Sequence, residues 1–232
     1  MLEKLFEQFE NLVVLDTETT GIRAGSDEII ELAALRAVRS GDGFSIDEEM
    51  DDLIRLSAGR RLPPMIAELT GITEQMLRDE GIDKQLAAQR FAAMLQHPKT
   101  LVIAYNAQFD LCFLYYFLRA FGLCDALRCV KFLDAMTVYK DRREYPHKLK
   151  NAVEAYHLSG ENTHRAIDDA KVTLELLGAM DEEEPDIEKY VNLFGYSPRY
   201  GVSGPRIHSI TYAPQGYHRS AKLYETLRDE EE

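Results

Sequence analysis

The chain has 232 residues, of which 45% are hydrophobic and 29% charged, a balance that fits one soluble domain with an appendage. The formal net charge of −13 disfavours a protein that coats long duplexes, although divalent cations can offset a carboxylate cluster where a phosphate must bind. No apolar run is long enough to cross a bilayer, and the amphipathic start lacks a signal-peptide core. We therefore expect a cytoplasmic protein without a membrane partner.

The first half of the chain predicts strands before helices. Three strands are expected at "NLVVLDTE" (11–18), "DEIIELAALRAV" (27–38) and "FSIDEEM" (44–50). Two helices follow at "ITEQMLRDE" (72–80) and "DKQLAAQRFAAMLQ" (83–96), with Thr73 and Asp83 as N-caps.

The second half alternates strands and helices. Strands are expected at "TLVIAY" (100–105) and "CVKFLD" (129–134), and helices at "FDLCFLYYFLRAFG" (109–122), "LKNAVEAYHL" (149–158) and "HRAIDDAKVTLELLGAM" (164–180). Strands followed by strand–helix alternation predict an α/β fold, with a mixed sheet flanked by helices.

Four acids stand where an apolar face is expected. Asp16 and Glu18 end the first strand and share one of its faces, with Thr17 on the other. At about 100° per residue, Asp110 falls within the apolar stripe of its helix, and so does Asp169. Asp168 falls on the polar arc, with Lys171 as its i+3 partner. Buried carboxylates need a partner or a metal, and clusters made only of oxygen ligands suit Mg²⁺ or Mn²⁺.

His164 stands five residues before Asp169, at the expected start of the last helix. Most lone histidines are surface residues, but four inward-facing acids give this one a setting that the other five histidines lack. A histidine beside such acids suits a general base next to a two-metal site.

Three motifs together resemble those of the DEDD-type 3′–5′ exonucleases, in the subgroup that has a histidine in the third motif. The motifs are "VVLDTETTG", "YNAQFD" and "HRAIDDA", and the resemblance covers roughly residues 10–180. It implies a ribonuclease-H-like fold with a five-stranded mixed sheet. It also implies Asp16, Glu18, Asp110 and Asp169 as ligands of two Mg²⁺ or Mn²⁺ ions, and His164 as the general base.

The same resemblance implies that the chain hydrolyses the 3′-terminal phosphodiester of single-stranded nucleic acid and releases nucleoside 5′-monophosphates. DNA is favoured over RNA, and the roles open to such an enzyme include proofreading in trans, repair, RNA trimming and degradation of short oligonucleotides. Substrate contacts are expected from the motif residues Thr17, Thr19, Thr20, Gly21, Tyr105, Asn106 and Phe109. Tyr105 and Thr70 replace histidines that many relatives have.

Two other functions remain open on sequence grounds. A haloacid-dehalogenase-type phosphatase also has paired acids after its first strand, but that class gives no role to His164 or Asp110. A non-catalytic binding module is the second alternative, although all five groups of the expected site are present.

The remainder of the chain falls outside the resemblance. We expect an exonuclease domain over 1–180, an acidic linker over 181–185 ("DEEEP") and a C-terminal extension over 186–232. The extension has no acid between Arg199 and Lys222, and it could stack on single strands, pack on the domain or bind a polymerase or another protein. The basic run from Lys140 to Lys150 is either a phosphate-contact loop or a solvated connection.

Overall fold

The computed structural model describes residues 1–41, 43–160, 162–216 and 221–227. A short amphipathic helix, α1 (Glu3–Gln8), buries Leu5 and Phe6 ahead of the first strand. The strands β1 (Asn11–Thr19), β2 (Ile29–Ser40) and β3 (Gly43–Leu53) then form an antiparallel meander. The three predicted strands are confirmed, and β3 is longer than expected.

Three helices join the meander to the next strand: α2 (Pro64–Thr70), α3 (Glu74–Asp79) and α4 (Lys84–Met94). Thr73 and Asp83 cap α3 and α4 by accepting backbone N–H groups of Met76 and Gln85, as predicted. The Thr70 hydroxyl donates to the Ile66 carbonyl and accepts the Ile72 N–H, so this buried threonine closes the end of α2.

The strand–helix alternation follows with β4 (Thr100–Ala104), α5 (Ala107–Ala120), β5 (Lys131–Asp134), α6 (Ala135–Arg142), α7 (Leu149–Tyr156) and α8 (Ala166–Glu183). The main sheet has the order β3-β2-β1-β4-β5, with β1, β4 and β5 parallel. This mixed five-stranded sheet with flanking helices confirms the predicted fold class.

Two apolar cores lie on opposite faces of the sheet. Leu12 and Val14 of β1 pack with Leu176 and Leu177 of α8 on one face. Val13 and Leu15 pack with residues of α4 and α5 on the other face. The alternating side chains of β1 are therefore buried on both sides, as expected for a central strand.

The C-terminal segment packs on the edge of the sheet. It forms β6 (Leu193–Tyr196), β7 (Thr211–Pro214) and a last turn of helix, α9 (Leu223–Thr226). The Asn192 N–H donates to the Phe132 carbonyl, and the Phe132 N–H donates to the Asn192 side chain, which ties this segment to β5. Of the three interpretations of the extension, the structure shows the one in which the extension packs on the domain.

The predicted linker lies against this packed segment. Asp181–Glu183 form the last turn of α8, and Arg142 binds the carbonyls of Met180 and Glu184. Arg142 is almost completely buried and also pairs with Asp186 at 2.5 Å.

No helix among the described residues is long and apolar enough to span a membrane. Cys112, Cys124 and Cys129 are free thiols.

Candidate active site

The four predicted acids and the histidine line one cavity of about 570 Å³, at the end of β1 where α5 and α8 begin. This volume lies within the range typical of small-ligand sites. Residues far apart in sequence thus meet at a single place, since β1, α5 and the start of α8 converge at this edge of the sheet.

Asp16 and Glu18 extend from the face of β1 that packs toward α8, and Thr17 extends from the opposite face toward α5. The Thr17 hydroxyl donates to Asp110 Oδ1 at 2.6 Å. Asp110 lies in the first turn of α5 and is 2% exposed, so its predicted inward orientation is confirmed. The acids thus reach the cavity from both faces of the sheet.

Asp169 also points inward, as its helical position predicted. It is 6% exposed, and its Oδ2 accepts a hydrogen bond from the Asn162 amide at 2.5 Å. Its Oδ1 is buried and has no hydrogen-bond partner among the described residues. Ligand atoms of Glu18, His164 and Asp169 all lie within 4.8 Å of one another.

His164 precedes the last helix rather than beginning it. Its backbone has a φ of +58°, and α8 begins two residues later at Ala166. The neighbouring prediction for Asp168 is wrong in its partner, because Lys171 pairs with Glu49 at 2.9 Å and Asp168 accepts the Thr163 hydroxyl. Glu49 belongs to β3, and Thr163 belongs to the loop that precedes α8. Helical spacing cannot show contacts with residues outside the helix.

Burial raises the pKa of every acid in the cavity. For Asp16 the pKa lies well above its ordinary value, because burial is reinforced by the charges of Asp110, Asp169 and Glu18. Burial, reinforced by Asp169, raises the pKa of Glu18 to about 8. Burial raises the pKa of Asp110 to about 7, although the Thr17 hydrogen bond opposes the shift. Burial also raises the pKa of Asp169, against the hydrogen bond from Asn162.

These features fit a site for divalent cations. Four carboxylates that repel one another in a buried cavity are stabilised by a positive charge between them. The unpartnered Oδ1 of Asp169 is an oxygen available to such an ion. The donors are oxygen atoms, apart from a nearby imidazole, and this set suits Mg²⁺ or Mn²⁺.

Glu31 supports the site, and its role was not predicted from the sequence. This fully buried residue of β2 binds Arg165, and its Oε2 accepts the Ala166 N–H at 2.9 Å. It therefore caps the N-terminus of α8 and fixes the turn that holds His164. The signal was available, because Glu31 is an acid within the apolar run "IIELAAL".

The predicted substrate residues divide into two sets. Thr17, Tyr105, Asn106 and Phe109 line the cavity. The Tyr105 hydroxyl donates to the His147 carbonyl at 2.8 Å, which fixes this tyrosine against the loop before α7. Asn106, with a φ of +65°, precedes α5.

Thr19, Thr20 and Gly21 do not line the cavity and instead shape the turn after β1. The Thr19 hydroxyl donates to the Gly21 carbonyl, and Thr20 bonds the backbone of Glu28. A Cβ added at Gly21 would lie 2.6 Å from the Asp27 carboxylate. Glycine is therefore required at position 21 because the Asp27 side chain lies close to its backbone.

The basic run from Lys140 to Lys150 divides in the same way. Arg142 is buried in ion pairs, and Arg143 pairs with Glu183 and stacks on Tyr156. Lys148 and Lys150 are exposed and line the cavity. The arginines therefore hold the fold, and Lys148 and Lys150 are the lysines of this run that line the cavity.

The model of the exonuclease family matches residues 13–177. The chain belongs to the exonuclease family. The match spans β1 to α8, and with them the four acids and His164. The resemblance drawn from the three motifs is thereby confirmed, and the match favours the exonuclease over the phosphatase interpretation.

Curated relatives agree with this family. The chain is 35% identical over 173 residues to the PolC-type DNA polymerase III of Thermotoga petrophila, an alignment that covers 72% of this chain and 12% of the relative. It is 31% identical over 170 residues to the DNA polymerase III subunit epsilon of Treponema pallidum, covering 71% and 74%. The chain thus spans about an eighth of the PolC-type relatives and three quarters of the epsilon subunit.

Solved structures show the same fold. The zinc-bound complex of Escherichia coli exonuclease I with single-stranded DNA superposes with a TM-score of 0.69 at 20% identity, covering 79% of this chain and 43% of that chain. At that identity the likeness establishes the ribonuclease-H-like exonuclease fold alone.

Proposed function

We propose that this exonuclease-family chain is a metal-dependent 3′–5′ exonuclease that removes the 3′-terminal nucleotide of single-stranded nucleic acid, with DNA preferred to RNA. The observation that carries the proposal is the meeting of Asp16, Glu18, Asp110, Asp169 and His164 at one cavity. The preference for DNA is supported by the relatives, which are named as DNA polymerase III proteins, and by a structural neighbour solved with single-stranded DNA.

The four carboxylates would hold two Mg²⁺ or Mn²⁺ ions, which would supply charge stabilisation at the scissile phosphodiester and lower the pKa of the attacking water. His164 lines the same cavity as the four acids and would act as the general base that accepts the proton of the attacking water. Thr17 and Asn162 orient Asp110 and Asp169 through the hydrogen bonds described above.

The cavity walls provide for the nucleotide itself. Phe109 offers an aromatic ring on which a base can stack, and Leu69 and Met136 add apolar surface. Lys148 and Lys150 face the cavity as cations that can contact backbone phosphates. The products of this reaction are nucleoside 5′-monophosphates and a strand shortened by one nucleotide.

The test uses 5′-labelled single-stranded DNA and RNA of one sequence with Mn²⁺ or Mg²⁺. We expect a ladder that shortens from the 3′ end, faster on DNA, and that disappears with EDTA or with Asp169→Ala. Asp125→Ala is the matched control, because this carboxylate is 84% exposed on a distant turn.

The outcomes separate the alternatives. A faster ladder on RNA would favour RNA trimming over action on DNA. No ladder on either strand, with metal shown to bind, would contradict the proposal and favour a non-catalytic binding subunit.

A further inference from the structure

A second cavity, of about 120 Å³, adjoins the catalytic one. The two cavities share Asn106 and Met136 as wall residues. The far wall of the second cavity comes from residues 194–197, 201–203 and 212 of the C-terminal extension. The exonuclease-family match ends at residue 177, so this wall lies outside the matched residues.

The far wall is anchored to the catalytic domain through Gln108 of α5. The side-chain amide of this buried residue donates to the carbonyls of Ser203 and Pro205 at 2.8 and 2.9 Å. Its Oε1 accepts the Tyr212 hydroxyl at 2.7 Å. Gln108 lies two residues before Asp110, so the extension is fixed directly beside the catalytic acids.

Lys140 of α6 gives the second cavity its positive charge. No carboxylate among the described residues lies within ion-pairing distance of its ammonium group. The acid that lines the same cavity, Asp134, is committed elsewhere: it accepts the backbone N–H groups of Asn106 and Ala107 and the Thr137 hydroxyl. Burial lowers the pKa of Lys140 because it disfavours the charged ammonium group. A bound anion would stabilise that charge and offset the effect of burial.

The remaining walls suit a nucleotide more than a bare anion. Ser197 and Ser203 contribute hydroxyl groups, and Tyr196 and Tyr212 contribute aromatic rings. The guanidinium of Arg206 lies 5.9 Å from the centre of the Tyr196 ring and 5.3 Å from that of Tyr212, which adds a second cation to this side of the molecule. Cations and hydroxyls beside aromatic rings are the groups that single-strand-binding grooves use.

We propose that this cavity binds a backbone phosphate of the single-stranded substrate, beyond the terminal nucleotide, and that Lys140 is the residue that pairs with it. The proposal rests on the proposed function, since the strand enters through the adjoining catalytic cavity. The extension would thereby set the length of strand that the enzyme grips.

The test compares wild type, Lys140→Gln and Lys140→Arg on 5′-fluorescein-labelled oligothymidylates of two to ten nucleotides. Binding is measured by fluorescence anisotropy in EDTA, and KM and kcat are measured with Mn²⁺. Lys131→Gln is the matched control, because Lys131 is an exposed lysine at the start of β5 that lines neither cavity. Circular dichroism checks that each variant is folded.

We expect wild-type affinity to rise at the length that first reaches the second cavity. Lys140→Gln should weaken binding about tenfold above that length, leave the dinucleotide unchanged and reduce the salt-dependence slope by about 0.7, the value for one phosphate contact on a single strand. Lys140→Arg should retain the rise in affinity with length, and Lys131→Gln should bind as wild type does.

Equal affinities of wild type and Lys140→Gln at every length would overturn the proposal. Free deoxythymidine monophosphate or inorganic phosphate that raises the Tm of wild type but not of Lys140→Gln, without any length-dependent gain, would also overturn it and assign the cavity to a free phosphate compound. Binding with the expected length dependence but no hydrolysis would contradict only the proposed exonuclease function.

Discussion

Arg165 donates two hydrogen bonds to the buried carboxylate of Glu31, from Nε at 2.8 Å and from Nη2 at 2.5 Å. This pair joins β2 to the residue that immediately follows His164. The other Glu31 oxygen caps α8 three residues before Asp169. One ion pair therefore positions two residues of the third motif.

Glu31→Gln should lower both stability and activity. Removal of one charge from a buried pair leaves the other uncompensated, and we expect a loss of about 3 kcal/mol, the lower end of the usual range, because Arg165 is one-third exposed. Urea denaturation measures the loss. Glu49→Gln is the control, since its pair with Lys171 is exposed and should cost under about 1 kcal/mol. Equal losses in the two variants would contradict the structural role of Glu31.

Thr17→Val should weaken metal binding with little change in fold. The hydroxyl of Thr17 orients the Asp110 carboxylate, and loss of such an orienting hydrogen bond costs roughly tenfold in metal affinity. Calorimetric titration with Mn²⁺ measures the effect. Thr17→Ser keeps the hydroxyl and should retain most of the affinity; weakening as large as that of the valine variant would point to packing instead.

Metal-free stability should fall as pH rises from 6.5 to 8.5. A carboxyl whose pKa is raised by folding holds more protons folded than unfolded, so its ionisation destabilises the folded state. Glu18 loses its stabilising contribution progressively between its ordinary pKa of 4.5 and its folded pKa of about 8, so the last part of that loss falls within this window. The loss at Asp110, with a folded pKa of about 7, ends near pH 7. Burial lowers the pKa of His147 below its ordinary value of 6.5. This histidine therefore raises the folded-state stability as pH rises toward 6.5, and its contribution changes little between pH 6.5 and 8.5.

The measurement is the free energy of unfolding against pH, with EDTA and with saturating Mn²⁺. Mn²⁺ should reduce the fall, and Glu18→Gln should flatten the metal-free curve above pH 7. A metal-free curve with the same slope in wild type and Glu18→Gln would show that this carboxyl does not titrate in the window.

His164→Ala should lower kcat by about 10²- to 10⁴-fold, the range typical of a lost general base. Metal affinity should change little. Because His164 lies within 4.8 Å of Glu18 and Asp169, a large loss of Mn²⁺ binding would instead identify it as a metal ligand. Calorimetry beside steady-state kinetics separates the two roles.

Leu223→Ala should destabilise the whole domain. Leu223 is fully buried in the same core as Leu12 and Leu176, and such truncations cost about 2 to 5 kcal/mol. Leu86→Ala, at a position that is 46% exposed, is the control and should cost far less. Thermal denaturation measures both. A Leu223 variant as stable as wild type would show that the extension is not part of the folding unit.

The sequence by itself determined the five strands of the main sheet, most of its flanking helices except α2 and α6, and the inward direction of the acids. The period-two pattern of β1 placed Asp16 and Glu18 on one face, and helical spacing placed Asp110 and Asp169 among apolar residues. Local periodicity specifies the direction of a side chain relative to its own element, and for this reason these predictions were confirmed.

Only the tertiary structure decided which partners those side chains meet. Glu31 and Arg165 are 134 residues apart, and the Gln108 contacts with the extension span about 100 residues. The sequence also indicated Lys171 as the partner of Asp168, but β3 brings Glu49 to that lysine instead. The hydrophobic pattern of one helix or strand does not specify which other element packs against it. That choice depends on how the two cores pack against opposite faces of the sheet.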